Sequence, residues 1–150
     1  MNTDALRQAA YYCAYQERTI QEVRKKLQGW DVSEEDTEEI LSRLVTEGYL
    51  SEERYARSFV GGKFRVKHWG KLKIEQELRR KGLSAENRQA GLEEINEKEY
   101  LETLKILLTK KAAALKDEDP RVRKQKLMRY ALSKGYESSM IWKLLGEDWE

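Results

Sequence analysis

A single histidine, His68, and a single cysteine, Cys13, leave little from which to build a catalytic or metal centre. The Asp and Glu residues show no metal-ligand spacing, and a lone histidine beside Trp69 and several lysines reads as a surface or contact group. The phosphate-cradling GxxxxGK[ST] and GxGxxG patterns, the zinc-protease HExxH and the nucleophile elbow GxSxG do not occur. Cys13 has no second cysteine to pair with, which fits a reducing compartment, and among small residues it reads as a packing group. No catalytic residue, cofactor site or metal site emerges, and the sequence points away from an enzyme.

Charge carries more information. The stretch from Tyr55 to Gly82 holds Arg57, Lys63, Arg65, Lys67, Lys71, Lys73, Arg79, Arg80 and Lys81 against only Glu75 and Glu77. Tyr55, Phe59, Phe64 and Trp69 are interleaved with those cations, and His68 stands beside Trp69. Cations on successive helical turns can neutralise phosphates in a sequence-blind, salt-sensitive way, and Phe64 and Trp69 could stack on exposed bases. The plainer reading keeps Phe64 and Trp69 in the core and lets the cations solvate helix faces. A second block, Arg121, Arg123, Lys124, Lys126, Arg129 and Lys134, contains no acid. It either extends the binding surface or offsets the acidic Glu93–Glu102 region. Net charge is only +2, so any field arises from segregation, and residues 31–53 supply the opposite pole with nine acids and one base. Glu34–Glu39 there read as the first turns of a helix, where carboxylates meet the positive end of the dipole.

These residues need helices to present them. Charged residues make up 37% of the 150, and one proline is too few for the turns of an all-β fold. Asp4 is a candidate cap for a helix with Ala5, Ala9, Ala10, Cys13 and Ala14 at helical spacing. Thr19 and Glu22 form a capping-box pattern ahead of Ile20, Val23 and Leu27, with Gly29 as the expected stop. Ser33 opens a third helix with Ile40, Leu41 and Leu44, closed by Gly48. The plan then recurs. Ser51 precedes a helix from Arg54 to Val66 with Tyr55, Phe59 and Val60 expected inside. Lys71–Lys81 follows with Ile74 and Leu78, then Gly82, then a helix from Ser84 to about Asn96. A third round has Tyr100, Leu104, Leu107, Leu108 and Leu115, a break at Asp117–Pro120, Arg121–Lys134 with Gly135, and Ser138 or Ser139 to Leu145.

A shift of 51 lays Leu27 on Leu78, Val23 on Ile74, Leu41 on Leu92 and Leu44 on Ile95, and a shift of 53 lays Gly82 on Gly135. The expected fold is all-α, an elongated tandem array of three three-helix repeats over residues 1–50, 51–98 and 99–150. The N-terminus lacks a basic start and apolar core of a secretion signal, and no apolar run approaches the roughly 18–20 residues of a membrane span. A cytoplasmic monomer with no membrane partner is expected.

The run Gly48-Tyr49-Leu50-Ser51-Glu52-Glu53-Arg54-Tyr55-Ala56, followed by Gly70, Ile74, Glu77-Leu78 and Lys81-Gly82-Leu83-Ser84, resembles the central motif of the RecX family of recombination regulators. Val23-x-x-x-Leu27 and Lys134-Gly135-Tyr136 echo it in the flanking repeats, so the resemblance covers nearly the whole chain. It implies an array of three-helix repeats without catalytic chemistry. It also implies a place in the groove of the RecA–DNA filament and restraint of RecA's ATP hydrolysis and strand exchange; weak binding of single- or double-stranded DNA alone is a further expectation. The residues carried forward as a partner- or nucleic-acid-binding surface are Arg57, Lys63, Arg65, Lys67, His68, Lys71, Lys73, Arg79, Arg80, Lys81, Arg121, Arg123, Lys124 and Arg129. Three positions depart from the family's pattern. Ser51 replaces an aspartate, Gly61-Gly62 interrupts a stretch richer in arginine and aromatics and weakens the helix there, and Trp30-Asp31 stands where the other repeats have Lys-Gly. A helical nucleic-acid-binding module with no dedicated recombinase partner is the alternative.

Overall fold

A computed structural model describes residues 1–146. Nine helices and no strand occur among the described residues: α1 (Thr3–Tyr15), α2 (Ile20–Gly29), α3 (Glu34–Thr46), α4 (Glu52–Arg65), α5 (Lys71–Arg80), α6 (Ala85–Leu92), α7 (Glu97–Ala114), α8 (Pro120–Ser133) and α9 (Ser138–Gly146).

Short-range chemistry explains most of their ends. Thr19 and Glu22 close a reciprocal capping box on α2. The hydroxyls of Ser33, Ser51 and Ser84 accept from the backbone N–H three residues on at 3.1, 3.2 and 3.2 Å, capping α3, α4 and α6. Asp119 caps α8, with Pro120 at the first helical position where a missing N–H costs nothing.

Three expectations need correction. α1 is capped by Asn2, whose side chain accepts from Ala5 N at 3.0 Å, and Asp4 lies inside the first turn. Gly29 does end α2 as expected, and beyond it Asp31 takes the left-handed conformation at φ 57°. α6 stops at Leu92, four residues short of Asn96, which caps α7 by accepting from Glu99 N at 3.0 Å. In α4 Val60 is buried, but Tyr55 and Phe59 are only half-buried, and Ala56 fills the interior position instead. α4 passes through Gly61-Gly62 unbroken.

The helices pack as two compact units, Met1–Phe59 with Leu78–Gly91, and Val60–Glu77 with Leu92–Glu150. In the first, small residues of α1 (Ala5, Ala9, Cys13) let Val23, Leu27, Ile40, Leu41, Leu44 and Leu50 close into one cluster. Burial pushes the Cys13 thiol pKa up, consistent with an inert packing group. Gly91 of α6 sits so close to Ala56 that a Cβ there would come within 2.8 Å of the alanine's own. In the second unit the interior is built on three aromatic rings. Phe64 lies 5.8 Å from Tyr100, which stacks at 5.0 Å on Tyr136. Leu104, Leu108, Leu127, Ala131 and Ile141 are buried in the same unit.

Candidate partner-binding surface

Gly70 opens the turn into α5 in the second unit. Its N–H donates to Lys134 O at 2.7 Å, Leu72 N donates to Gly135 O at 3.0 Å, and Lys71 N donates to the Tyr100 hydroxyl at 2.9 Å. The orphan donors at the start of α5 are thus satisfied by the orphan carbonyls at the end of α8 and by one buried phenol. Tyr100 donates its own hydroxyl proton to a hydrogen bond with Glu137. Burial, then the hydrogen bond to the Glu137 carboxylate, drives the Tyr100 pKa upward, and burial does the same for Tyr136. Both stay neutral and act as polar staples. Tyr136 donates to His68 O at 3.0 Å, which fixes His68 in the left-handed conformation at φ 58° while its ring faces solvent.

Several central cations are tied into this scaffold. Lys71 pairs with Glu97 and lies 4.7 Å from the centre of the Tyr100 ring. Lys63 and Lys73 lie 4.8 and 4.5 Å from the centre of the half-buried Trp69 ring. Arg65 donates to Glu94 O at 3.4 Å, and Lys67 is exposed, with its carbonyl held by Lys134 Nζ at 3.1 Å. In the first unit Arg57 pairs with Glu53 at 3.4 Å, Arg79 and Arg80 are exposed, and Lys81 covers the stacked rings of Tyr55 and Phe59 at 6.0 and 5.6 Å. Phe64 is buried against Tyr100 and cannot stack on a base, because no face of its ring is open. Trp69 keeps part of its surface.

α8 differs. Arg123 turns inward, donating twice to Ala112 O at 3.2 and 2.9 Å and capping α7. Lys126 pairs with Glu118 at 2.6 Å. Arg121, Lys124 and Arg129 are exposed, and among the described residues none has a carboxylate within salt-bridge reach. They border a groove of about 490 Å³ whose apolar lining is Met128, Leu132 and Trp142. Sequence inspection passed over these three apolar residues. Their signal lies in the repeat overlay, where the matching positions of the other two repeats are polar.

Among the described residues no group of His, Cys, Asp or Glu could hold a metal ion, and no helix is long and apolar enough to cross a membrane. What the fold and surface define is a tandem three-helix-repeat protein with cationic faces. Family profiles for the first, second and third three-helix domains of RecX match residues 5–44, 51–92 and 97–145. The chain belongs to the RecX family of regulatory proteins. It is 34% identical over 143 residues to the "Regulatory protein RecX" of Prosthecochloris aestuarii, covering 95% of this chain and 92% of that one. It is 33% identical over 133 residues to that of Halalkalibacterium halodurans, covering 89% of this chain but only 50% of that relative's length. Crystalline RecX from Lactobacillus salivarius superposes with a TM-score of 0.89 at 26% identity, covering 97% and 94% of the two chains. A second solved RecX gives 0.83 at 27%, covering 97% of this chain and 73% of the other.

Proposed function

We propose that this protein regulates homologous recombination and DNA repair by binding the RecA–DNA filament and restraining RecA's ATP hydrolysis and strand exchange. The observation that carries this reading is membership of the RecX family through all three repeats. Cations left open on α8 suit a partner that exposes phosphates or carboxylates along its length. The protein works without chemistry of its own, as a cytoplasmic monomer that binds bare DNA weakly. Its effect is read by measuring RecA ATPase and strand exchange on single-stranded DNA with increasing protein. Inhibition at or below equimolar amounts is expected, and no effect at equimolar protein overturns the proposal.

One observation favours the second reading, a nucleic-acid-binding module with no recombinase partner. Arg121, Lys124 and Arg129 are exposed, and Trp69 is only half-buried among lysines. That reading requires DNA or RNA alone to bind at moderate salt and charge reversal at Lys63, Arg65, Lys67 and Lys71 to weaken binding. Tight binding to the filament with negligible binding to bare DNA rules it out.

A further inference from the structure

Arg121, Lys124, Met128 and Leu132 recur at three- and four-residue intervals and so share one face of α8. Trp142 on the exposed side of α9 completes the apolar wall of the groove. It is 58% exposed and Leu132 44%, so neither belongs to the core.

The repeats show that the fold does not require this wall. Shifting back by 53 residues puts Glu75, Arg79 and Gln89 at the places of Met128, Leu132 and Trp142, and a further 51 puts Arg24, Gln28 and Glu38 there. In the first repeat Arg24 and Glu38 pair with each other. Equivalent scaffold positions therefore carry an ion pair in the first repeat and, in the third, the exposed Leu132 and Trp142 beside a half-buried Met128. Leaving large apolar groups in water at a site where polar ones serve the fold marks a contact surface.

We infer that the α8–α9 groove is a docking site for an acidic protein segment presenting one large apolar side chain. The three rim cations, without carboxylate partners among the described residues, would each receive an Asp or Glu of the segment. Met128, Leu132 and Trp142 would take a Leu, Met or Phe side chain, the flexible thioether adapting to its shape. A polynucleotide fits less well. A base has one flat face to stack on, Trp142, whereas Met128 and Leu132 are aliphatic and match the side chain of a protein segment better than a sugar or a phosphate. The inference rests on α8 and α9 alone, independently of any recombinase.

The test uses the full chain and a fluorescein-labelled peptide with a Phe-Leu pair between runs of Asp and Glu, followed by anisotropy. A peptide with Lys replacing the acids and a single-stranded oligonucleotide serve as competitors. Saturable binding is expected, weakened about tenfold or more by Leu132→Asp or Met128→Asp and several-fold by Lys124→Glu. The Trp142 indole N–H resonance should shift on titration, with unchanged helicity in every variant. No binding, binding indifferent to the groove variants, equal binding of the Lys peptide, or displacement by the oligonucleotide would each overturn the inference. A concentration-dependent dimer abolished by Leu132→Asp would overturn it too, assigning the groove to a second copy. The assay contains no RecA, so its failure leaves the regulator proposal standing, and failure of the ATPase assay leaves the groove standing.

Discussion

The central stretch and α8 carry similar blocks of cations and use them differently. Around α5 the positive charge is dense, yet Lys71 is paired with Glu97, Lys63 and Lys73 cover Trp69, and Lys81 covers Tyr55 and Phe59. On α8, Arg123 and Lys126 are similarly occupied, but Arg121, Lys124 and Arg129 are exposed and have no carboxylate partner among the described residues. Local density of charge is therefore a poor guide to availability. A cation lying on an aromatic face or in an ion pair must give up that interaction before it can serve a partner.

If the central stretch is chiefly structural, breaking it should cost stability first. The largest effect is expected from Gly70→Ala. A Cβ at Gly70 would stand 2.3–2.4 Å from the backbone of Gly135 and Tyr136, atoms that cannot rotate away. It would force apart the Gly70 N–Lys134 O and Leu72 N–Gly135 O bonds. A loss of about 4 kcal/mol or outright unfolding is expected, read by urea denaturation. Unfolding with a midpoint near that of the wild type would show that the turn does not anchor the second unit.

The opposite side of the contrast is tested by reversing Arg121, Lys124 and Arg129 to Glu together. Because these side chains are exposed and have no carboxylate partner among the described residues, the unfolding midpoint should barely move, within about 0.5 kcal/mol. Affinity for the RecA–DNA filament proposed as partner should fall roughly a hundredfold, and its salt dependence should weaken, because three charges no longer meet anionic groups of the partner. Reversing Lys71 alone should do the reverse, lowering stability by about 1 kcal/mol by removing its pairing with Glu97 and its cover of the Tyr100 ring, with the smaller effect on binding. If the two variants exchange these signatures, the central cations and not those of α8 are the available ones.

Tyr100→Phe sharpens the structural half further. It deletes the oxygen that accepts from Lys71 N and donates to Glu137, leaving a part-buried N–H and carboxylate without that partner. A cost of about 1–3 kcal/mol is expected in denaturant melts. The rings stay stacked, so the tertiary near-ultraviolet signal of residue 100 on Tyr136 should persist. A neutral substitution would mean that water replaces the phenol without loss.

What the sequence made legible was local. The Thr19–Glu22 box, the serine caps and the left-handed glycines at 48 and 82 depend on residues within one turn of each other, and all were readable. The end of α6 was not, because Asn96 has equal chemistry to end one helix or begin the next. The choice was settled by its bond to Glu99 N. Nor was the half-burial of Tyr55 and Phe59, since Ala56 occupies the inward position only because Gly91, much later in the chain, lets it approach. The site was legible as a charge pattern only. Which cations are occupied depends on Glu97, Tyr100 and Ala112, whose nearness to Lys71 and Arg123 exists only after folding.

The smallest expected effect concerns a place where the repeats agree in geometry and differ in residue. Asp31, Gly82 and Gly135 each have positive φ, at 57°, 82° and 100°. Each is followed by the same long return bond, Val32 N to Leu27 O at 3.1 Å, Leu83 N to Leu78 O at 3.2 Å and Tyr136 N to Ala131 O at 3.2 Å. This is one Schellman turn made three times, and only the first copy carries a side chain there. Gly82→Asp should cost about 1–2 kcal/mol, because φ 82° strains an L-residue and its Cβ would lie 2.3 Å from the Gln21 side chain. Asp31→Gly should change stability by less than about 0.5 kcal/mol. Relief of left-handed strain, mild for aspartate, is offset by the freedom glycine adds to the unfolded chain. A gain of about 1 kcal/mol or more, on the scale of about five-fold in the folding equilibrium, would show that Asp31 is strained and held for some purpose other than closing the turn. A matching loss would show that its carboxylate contributes to the cap.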